Sequence, residues 1–251
     1  MAQMATVCAV VVSGGSGSRF GNPGGKQLVS VAGRPLMTWS IMAFDRSVLV
    51  GHIVVVCPAE RRDEMRRLAI DPFEFATPIT FADAGETRQD STRAGVAAVP
   101  EGFEYVAIHD GARPLITTEA IDRAICALED DRSLDGVVCG QPAIDTLKIV
   151  DGSRIVETPP RSLYWAAQTP QIFGVDAVRR AHEAALAEGF VGTDDSSLVE
   201  RMGGAVRCVE SPRDNLKVTV PEDLRPVTAI LLGRMSDAER AQDTGVLRSR
   251  G

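Results

Sequence analysis

The chain has 251 residues, 44% of them hydrophobic and 24% charged, with a formal net charge of −7. That length can bury a substantial core in one α/β domain, and the acidic balance argues against a nucleic-acid polymer as partner, since phosphate-backbone binders usually carry a basic face. No apolar run approaches the ~20 residues that span a bilayer, and residues 1–6 lack the charged-then-apolar pattern of a secretory leader, so a cytoplasmic protein without a membrane partner is expected.

Short, β-branched, uninterrupted apolar runs predict buried strands at 7–12, 53–57, 105–108 and 136–139. Helices are expected between them, at 35–44, 60–68, 87–99 and 118–129. Pro35 suits a first helical turn, and Thr118 is placed to cap its helix. This βαβα rhythm implies a doubly wound, mostly parallel sheet of Rossmann-like form. The rhythm breaks after Gly140. Strands at 146–150 and 153–157 flank Asp151-Gly152, a hairpin-turn signal, and predict a β-arm over about 140–163 that projects from the sheet. Helices at 175–187 and 195–202, strands at 206–209 and 216–218, and a helix from Pro221 follow. Residues 1–235 are read as one domain and the polar stretch 236–251 as a frayed tail.

Cys8, Cys57, Cys126, Cys139 and Cys208 are odd in number and widely spaced, with no CxxC pair. Neither a disulfide framework nor a zinc site is expected, and Cys8, Cys57 and Cys139 sit in strand-like runs as small core residues. His52, His109 and His182 are too scattered for a metal cluster. The basic residues are 24 arginines but only three lysines, Lys26, Lys148 and Lys217. Lysine is a compact point charge on a flexible stem, and each lysine lies in a segment with other signs of function.

The first strand runs into Ser13-Gly14-Gly15-Ser16-Gly17-Ser18-Arg19, with Lys26 beyond. Glycines after a first strand let backbone amides approach an anion. Phe20 stands where a Walker loop and a GxGxxG fingerprint each need glycine, so neither pattern fits, and phosphate binding competes with a flexible turn. His109-Asp110-Gly111-Ala112-Arg113-Pro114 follows a central strand, where ligands gather in an open sheet. Asp110 could there hold a metal or sugar hydroxyls, whereas His109 reads as structural. Asp145-Thr146-Leu147-Lys148, Arg161, Gln168-Thr169-Pro170-Gln171, Thr193-Asp194 and Asp214 to Thr219 supply further hydroxyls and cations. No Ser-His-Asp or Cys-His arrangement is evident.

In order, the Gly-rich loop with Arg19 and Lys26, Gly85-Glu86-Thr87-Arg88-Gln89-Asp90-Ser91, HDGARP, DTLK, QTPQIF, TDD and DNLKVTVPEDL resemble the 2-C-methyl-D-erythritol 4-phosphate cytidylyltransferase family over roughly 7–232. The resemblance implies an enzyme that transfers CMP from CTP to a sugar-alcohol phosphate. Ser13, Gly14, Gly15, Gly17, Ser91 and Asp110 would bind CTP, with Gly85 and Glu86 near the base. Arg19, Lys26 and Lys217 would be the catalytic cations around the α-phosphate. Asp110, Arg113, Thr146, Arg161, Thr169, Thr193 and Lys217 would hold the acceptor. Magnesium would bridge the triphosphate without dedicated protein ligands. The arm would clasp its counterpart in a homodimer and lend Arg161 to the neighbouring site.

Three positions depart from the family pattern. Its Pro-Ala-Ala-Gly is Val12-Ser13-Gly14-Gly15 here, its HDAARP is HDGARP, and Gly25 replaces the proline before the loop lysine. The related ribitol-5-phosphate cytidylyltransferases have a similar Gly-rich loop, and their Ala-Ile-Asp-Thr matches Ala143 to Thr146, so CDP-ribitol synthesis stays an alternative. An NAD(P)-linked oxidoreductase, disfavoured by the broken GxGxxG, and a non-catalytic nucleotide-binding protein are the other two.

Overall fold

The computed structural model describes residues 5–15, 20–21 and 25–235. Gly17, Arg19 and the tail 236–251 lie outside the described residues. From the N-terminus, β1 (Val7–Val12) is followed by the small ribbon β2 (Ser30–Val31) and β3 (Arg34–Pro35), then α1 (Leu36–Asp45), β4 (Val50–Cys57), α2 (Arg62–Met65), β5 (Ile79–Asp83) and α3 (Arg88–Ala97). The second half contains β6 (Tyr105–Asp110), α4 (Thr118–Glu129), β7 (Gly136–Pro142), β8 (Ile149–Asp151), β9 (Arg154–Glu157), β10 (Trp165–Gly174), α5 (Val175–Glu188), α6 (Asp195–Arg201), β11 (Val206–Glu210) and α7 (Leu224–Arg234).

Seven strands form one sheet in the order β11-β7-β10-β6-β1-β4-β5. All neighbours pair in parallel except β10, which runs antiparallel to both β6 and β7. The fold is thus the doubly wound, mostly parallel α/β sheet expected from the sequence. β1 explains why its strand reads as an unbroken apolar run. Val7, Ala9 and Val11 enter one buried cluster with Met37, Ile41 and Phe44 of α1 and Ile121 and Ile125 of α4. Cys8 and Val10 enter the cluster on the opposite face, with Val96 of α3, Val178 of α5 and Leu198 of α6. Side chains alternate between faces, and helices cover both, so no position is left for a polar residue. Cys8, Cys57 and Cys139 are buried as expected, whereas Cys126 and Cys208 are exposed.

Several local expectations shift. Pro35 is the residue before α1, in extended backbone, not within its first turn. Thr117, not Thr118, caps α4: its hydroxyl accepts from the Ala120 amide, and Thr118 donates to the Ala43 carbonyl. The helix expected at 60–68 is a 3-10 turn, four α-helical residues and a π turn in succession. β5 and β10 are additional to the predicted strands. Residues 216–218 pair with no strand; the Leu216 amide donates to the Asp214 carbonyl and the Val218 amide to the Ala112 carbonyl. The arm is a two-stranded ribbon in which Asp151 pairs with Arg154, so its turn is Gly152-Ser153, one residue later than expected, with Gly152 at φ 58. All seven residues of β8 and β9 are exposed. No described helix is long and apolar enough to cross a membrane.

Candidate active site

The ends of β1, β5 and β6 open onto a cavity of about 390 Å³ lined by Gly14, Gly15, Lys26, Gly85, Glu86, Thr87, Arg88, Ser91, Asp110 and Lys217, among others. The carboxyl edge of a parallel sheet is where the strand-to-helix loops converge. Two close backbone approaches shape it. A Cβ on Gly14 would stand 2.4 Å from the Ala84 Cβ, and one on Gly85 2.3 Å from the Asp90 Cβ. The turn at Gly85 is tied to α3, because the Gly85 amide donates to Ser91 Oγ (3.1 Å), which donates to the Thr87 carbonyl (2.9 Å). Thr87 and Asp90 close the helix start with a reciprocal capping box. Lys26 Nζ donates to the Val218 carbonyl at 2.6 Å, bringing the loop after β1 against the 214–219 segment.

A second cavity of about 290 Å³ lies alongside, lined by Arg113, Gln168, Thr169, Gln171, Thr193 and Asp194 among others. Arg88, Asp110 and Lys217 line both. Asp110 is the centre of that wall. Its Oδ1 accepts from Arg88 Nε (3.2 Å) and its Oδ2 from Lys217 Nζ (2.6 Å). Burial alone would raise its pKa, but the Arg88 and Lys217 charges outweigh it and hold the carboxyl well below the usual carboxylate range. Arg88 also donates through Nη1 to Asp195 Oδ2 at 3.0 Å. Burial would weaken the guanidinium's hold on its proton, and the Asp195 and Asp110 charges more than reverse this.

Beneath the wall, hydrogen bonds tie β6, β10 and the 214–219 segment together. The Asp110 amide donates to Thr169 Oγ1 (3.0 Å), and that hydroxyl lies 3.1 Å from His109 Nδ1. His109 Nε2 lies 3.2 Å from the Arg113 carbonyl, which can only accept, so Nε2 carries the proton and Nδ1 accepts from Thr169. His109 is fully buried, and burial lowers its pKa to about 4. It is the structural residue that the sequence suggests. Arg113 donates to the Asn215 carbonyl at 2.8 Å, and burial lowers its pKa. Asn215, itself buried, donates to Gln168 Oε1 and to the Thr169 carbonyl, both at 3.0 Å. The 214–219 segment that carries Lys217 is thereby pinned to β10.

The structure brings Gly14, Gly15, Lys26, Gly85, Glu86, Ser91, Asp110 and Lys217 to the first cavity, and Asp110, Arg113, Thr169, Thr193 and Lys217 to the second. Ser13 is buried beneath the loop. Thr146 and Arg161 line neither cavity; both are exposed on the arm, where Arg161 Nη1 donates to the Ile144 carbonyl. Arg88, Gln168, Asn215 and Asp195 are structurally central residues to which sequence reading gives no role. The one available signal is that all four sit within or beside motifs already singled out. Among the described residues no group of three or more His, Cys, Asp or Glu side chains could hold a metal ion. The carboxylates lining the first cavity are Glu86 and Asp110, and two cations already engage Asp110. Among the described residues, a divalent ion carried by an anionic ligand would find the Glu86 carboxylate in the first cavity.

The family model for 2-C-methyl-D-erythritol 4-phosphate cytidylyltransferase, IspD, matches residues 7–233. The chain belongs to that family. The IspD of Caldanaerobacter subterraneus subsp. tengcongensis is 42% identical over 219 residues, covering 87% of this chain and 95% of its own. That of Syntrophotalea carbinolica is 39% identical over 228 residues, covering 90% and 96%. The crystal structure of 4-diphosphocytidyl-2C-methyl-D-erythritol synthase from Anaerococcus prevotii superposes with a TM-score of 0.79 at 27% identity, over 90% of this chain and 96% of that one. IspD membership makes the chain a nucleotidyltransferase and sets the oxidoreductase alternative aside. Within the IspD frame, two of the three departures noted in the sequence meet in space. A Cβ on Gly111 would stand 2.4 Å from Ser13 Oγ, so the extra hydroxyl at one position occupies the volume of the methyl missing at the other. The third departure, Gly25, has φ 68, which proline cannot adopt.

Proposed function

We propose that the enzyme transfers CMP from CTP to 2-C-methyl-D-erythritol 4-phosphate and releases pyrophosphate. The observation that carries this reading is the wall of Arg88, Asp110 and Lys217, which faces two adjacent cavities at once. A glycine-lined cavity with a lysine suits a triphosphate, and the neighbouring one, with Arg113, Thr169 and Thr193, suits a hydroxylated phosphate. Lys217 would stand between the two reacting phosphates.

In this reading Gly14, Gly15 and Ser91 bind the nucleotide, Gly85 and Glu86 lie near its base, and Lys26 approaches the triphosphate. Arg19 and Gly17 belong to the same assignment. Arg113, Thr169 and Thr193 orient the acceptor, whose phosphate oxygen attacks the α-phosphorus as the bond to pyrophosphate breaks. The attacking phosphate is already largely ionised near neutral pH, so no general base is needed. Two polyanions must meet, and fixed cations lower that repulsion most effectively in a site of low dielectric. Magnesium, carried by the triphosphate oxygens, would supply further charge neutralisation.

We further propose that residues 1–235 act as one cytidylyltransferase domain and that the arm pairs two copies. Leu163 is 74% exposed, Val156 64% and Ile144 61%, and an isolated two-stranded ribbon is marginal in water, so this apolar surface favours a partner. A two-fold dimer would allow Thr146 and Arg161, which line neither of their own chain's cavities, to complete the neighbour's acceptor site. Small, water-soluble substrates suit a cytoplasmic enzyme. The test is pyrophosphate release from CTP with each candidate acceptor. Higher catalytic efficiency on 2-C-methyl-D-erythritol 4-phosphate is expected. A large preference for ribitol 5-phosphate would replace the acceptor and leave cytidylyl transfer in place.

A further inference from the structure

The side chains behind the wall form a line from core to cavity. Asp195 opens α6 with its side chain 1% exposed, Arg88 lies in the first turn of α3 at 34%, Asp110 ends β6 at 11%, and Lys217 faces the cavities at 37%. Asp195 lines neither of the two large cavities. Its Oδ2 accepts from Arg88, and its Oδ1 lies 3.2 Å from Nε2 of His182, a buried ring whose nitrogens have no aligned partner among the described residues. The Arg88 guanidinium is gripped on two edges, by Asp195 at Nη1 and by Asp110 at Nε.

A planar fork held by one carboxylate can turn about its stem, whereas one held by two carboxylates cannot. The fixed Arg88 in turn occupies one oxygen of Asp110 and leaves the other for Lys217. We propose that Asp195 is a positioning residue for cytidylyl transfer: through Arg88 it sets the orientation of Asp110, and with it the place of the Lys217 ammonium. The competing view is that Asp195 only balances a buried charge and begins a helix. A buried ion pair adds little net stability over an apolar replacement, so stability alone gives this network no evident purpose.

The inference rests on the proposed reaction, and wild-type turnover is its control. No wild-type turnover would overturn both; wild-type turnover with a fully active variant would overturn this inference alone. Misplacing a reacting group by about 1 Å can cost about a hundredfold in rate, so Asp195→Asn should lower kcat about 10- to 100-fold. Its Kd for CTP, measured by calorimetry, should stay within about threefold, because the loop contacts are untouched. The double variant Arg88→Gln/Asp195→Asn should be no slower than Arg88→Gln, since Asp195 would act only through Arg88. A folded Asp195→Asn protein with normal kcat, or losses that multiply in the double variant, would overturn the proposal. If Asp195→Asn does not fold, Asp195→Glu, which keeps the charge and shifts it by one methylene, decides. Reduced kcat at an unchanged melting midpoint supports positioning, and wild-type kcat refutes it.

Discussion

Adding one methyl group at Gly111 tests whether the two departures from the family pattern are a single packing solution. The new Cβ would sit 2.4 Å from Ser13 Oγ, 3.3 Å from Gln27 Oε1 and 3.3 Å from Val11 Cγ1, where ordinary contact begins at 3.4 Å. Ser13 is 1% exposed, so its hydroxyl has nowhere to retreat. Overpacking of this kind costs about 1–3 kcal/mol. For a chain of this size, that lowers the melting midpoint of Gly111→Ala by about 2–4 °C per kcal/mol. Ser13→Ala alone should be close to neutral, because the Ser13 hydroxyl is buried with no hydrogen-bond partner among the described residues and its removal breaks no bond. The double variant should recover most of the loss, since the two 3.3 Å approaches need only a few tenths of an ångström of adjustment. Gly111 has no left-handed backbone, so alanine there also removes freedom from the unfolded chain, worth about 0.4–1 kcal/mol. Thermal unfolding of the four proteins gives the coupling energy directly, expected at about 1–3 kcal/mol. A Gly111→Ala protein as stable as the parent, or a double variant no better than Gly111→Ala, would refute the reasoning.

Lys217→Ala and Lys26→Ala should each cost about a hundredfold in turnover, the usual effect of losing one contact to developing charge, while the far-UV spectrum stays unchanged. Lys148→Ala should do much less, since Lys148 donates to Thr158 on the exposed arm; near-normal turnover in Lys26→Ala would remove Lys26 from the machinery. With its pKa lowered to about 4, His109 should stay neutral above about pH 5, and its ring resonances should show no titration near pH 6.5. Between about pH 6.5 and about 4 the unfolded chain takes up a proton that the folded site refuses; stability should therefore fall with falling pH across that window, and less so in a His109→Asn variant that still folds. Inactive Arg161→Ala and Lys26→Ala subunits, mixed under exchange conditions, should regain activity if the arm reaches a neighbour's site. No recovery from demonstrably mixed dimers would place Arg161 in its own chain's site.

The strands buried on both faces announce themselves in the sequence. β1, β4, β6 and β7 read as continuous β-branched runs because helices cover each side. β5 lies at an edge with only Ala82 of its five residues buried, a weaker pattern. β10 is central yet carries Gln168, Pro170 and Gln171, residues that argue against a middle strand when read alone. Its polar side chains are there to serve the second cavity and Asp194. The segment 216–218 errs the other way: apolar Leu216 and Val218 suggest a ladder, but the stretch is fixed by Arg113, Asn215 and Lys26 instead. Residues lining the two cavities were legible where a motif carried them, though Thr146 of DTLK lines neither. Arg88 and Asp195 were not, because a charged residue in a helix's first turn is ordinarily solvated, and nothing local reveals that these two meet across 107 positions.

Because β10 runs against its neighbours, the chain leaves the sheet at the end of β7 and re-enters at the adjacent position: Pro142 pairs with Trp165, and the Ala143 amide donates to the Tyr164 carbonyl at 2.9 Å. Residues 143–164 are therefore a closed excursion with both ends stitched together. Its length and sequence can change without moving Ala167 or Gln171, whose pairing with Gly140 and Val138 the sheet fixes independently. The inner half of the second cavity is thus held by the sheet itself, and the arm is joined to it as a separate part.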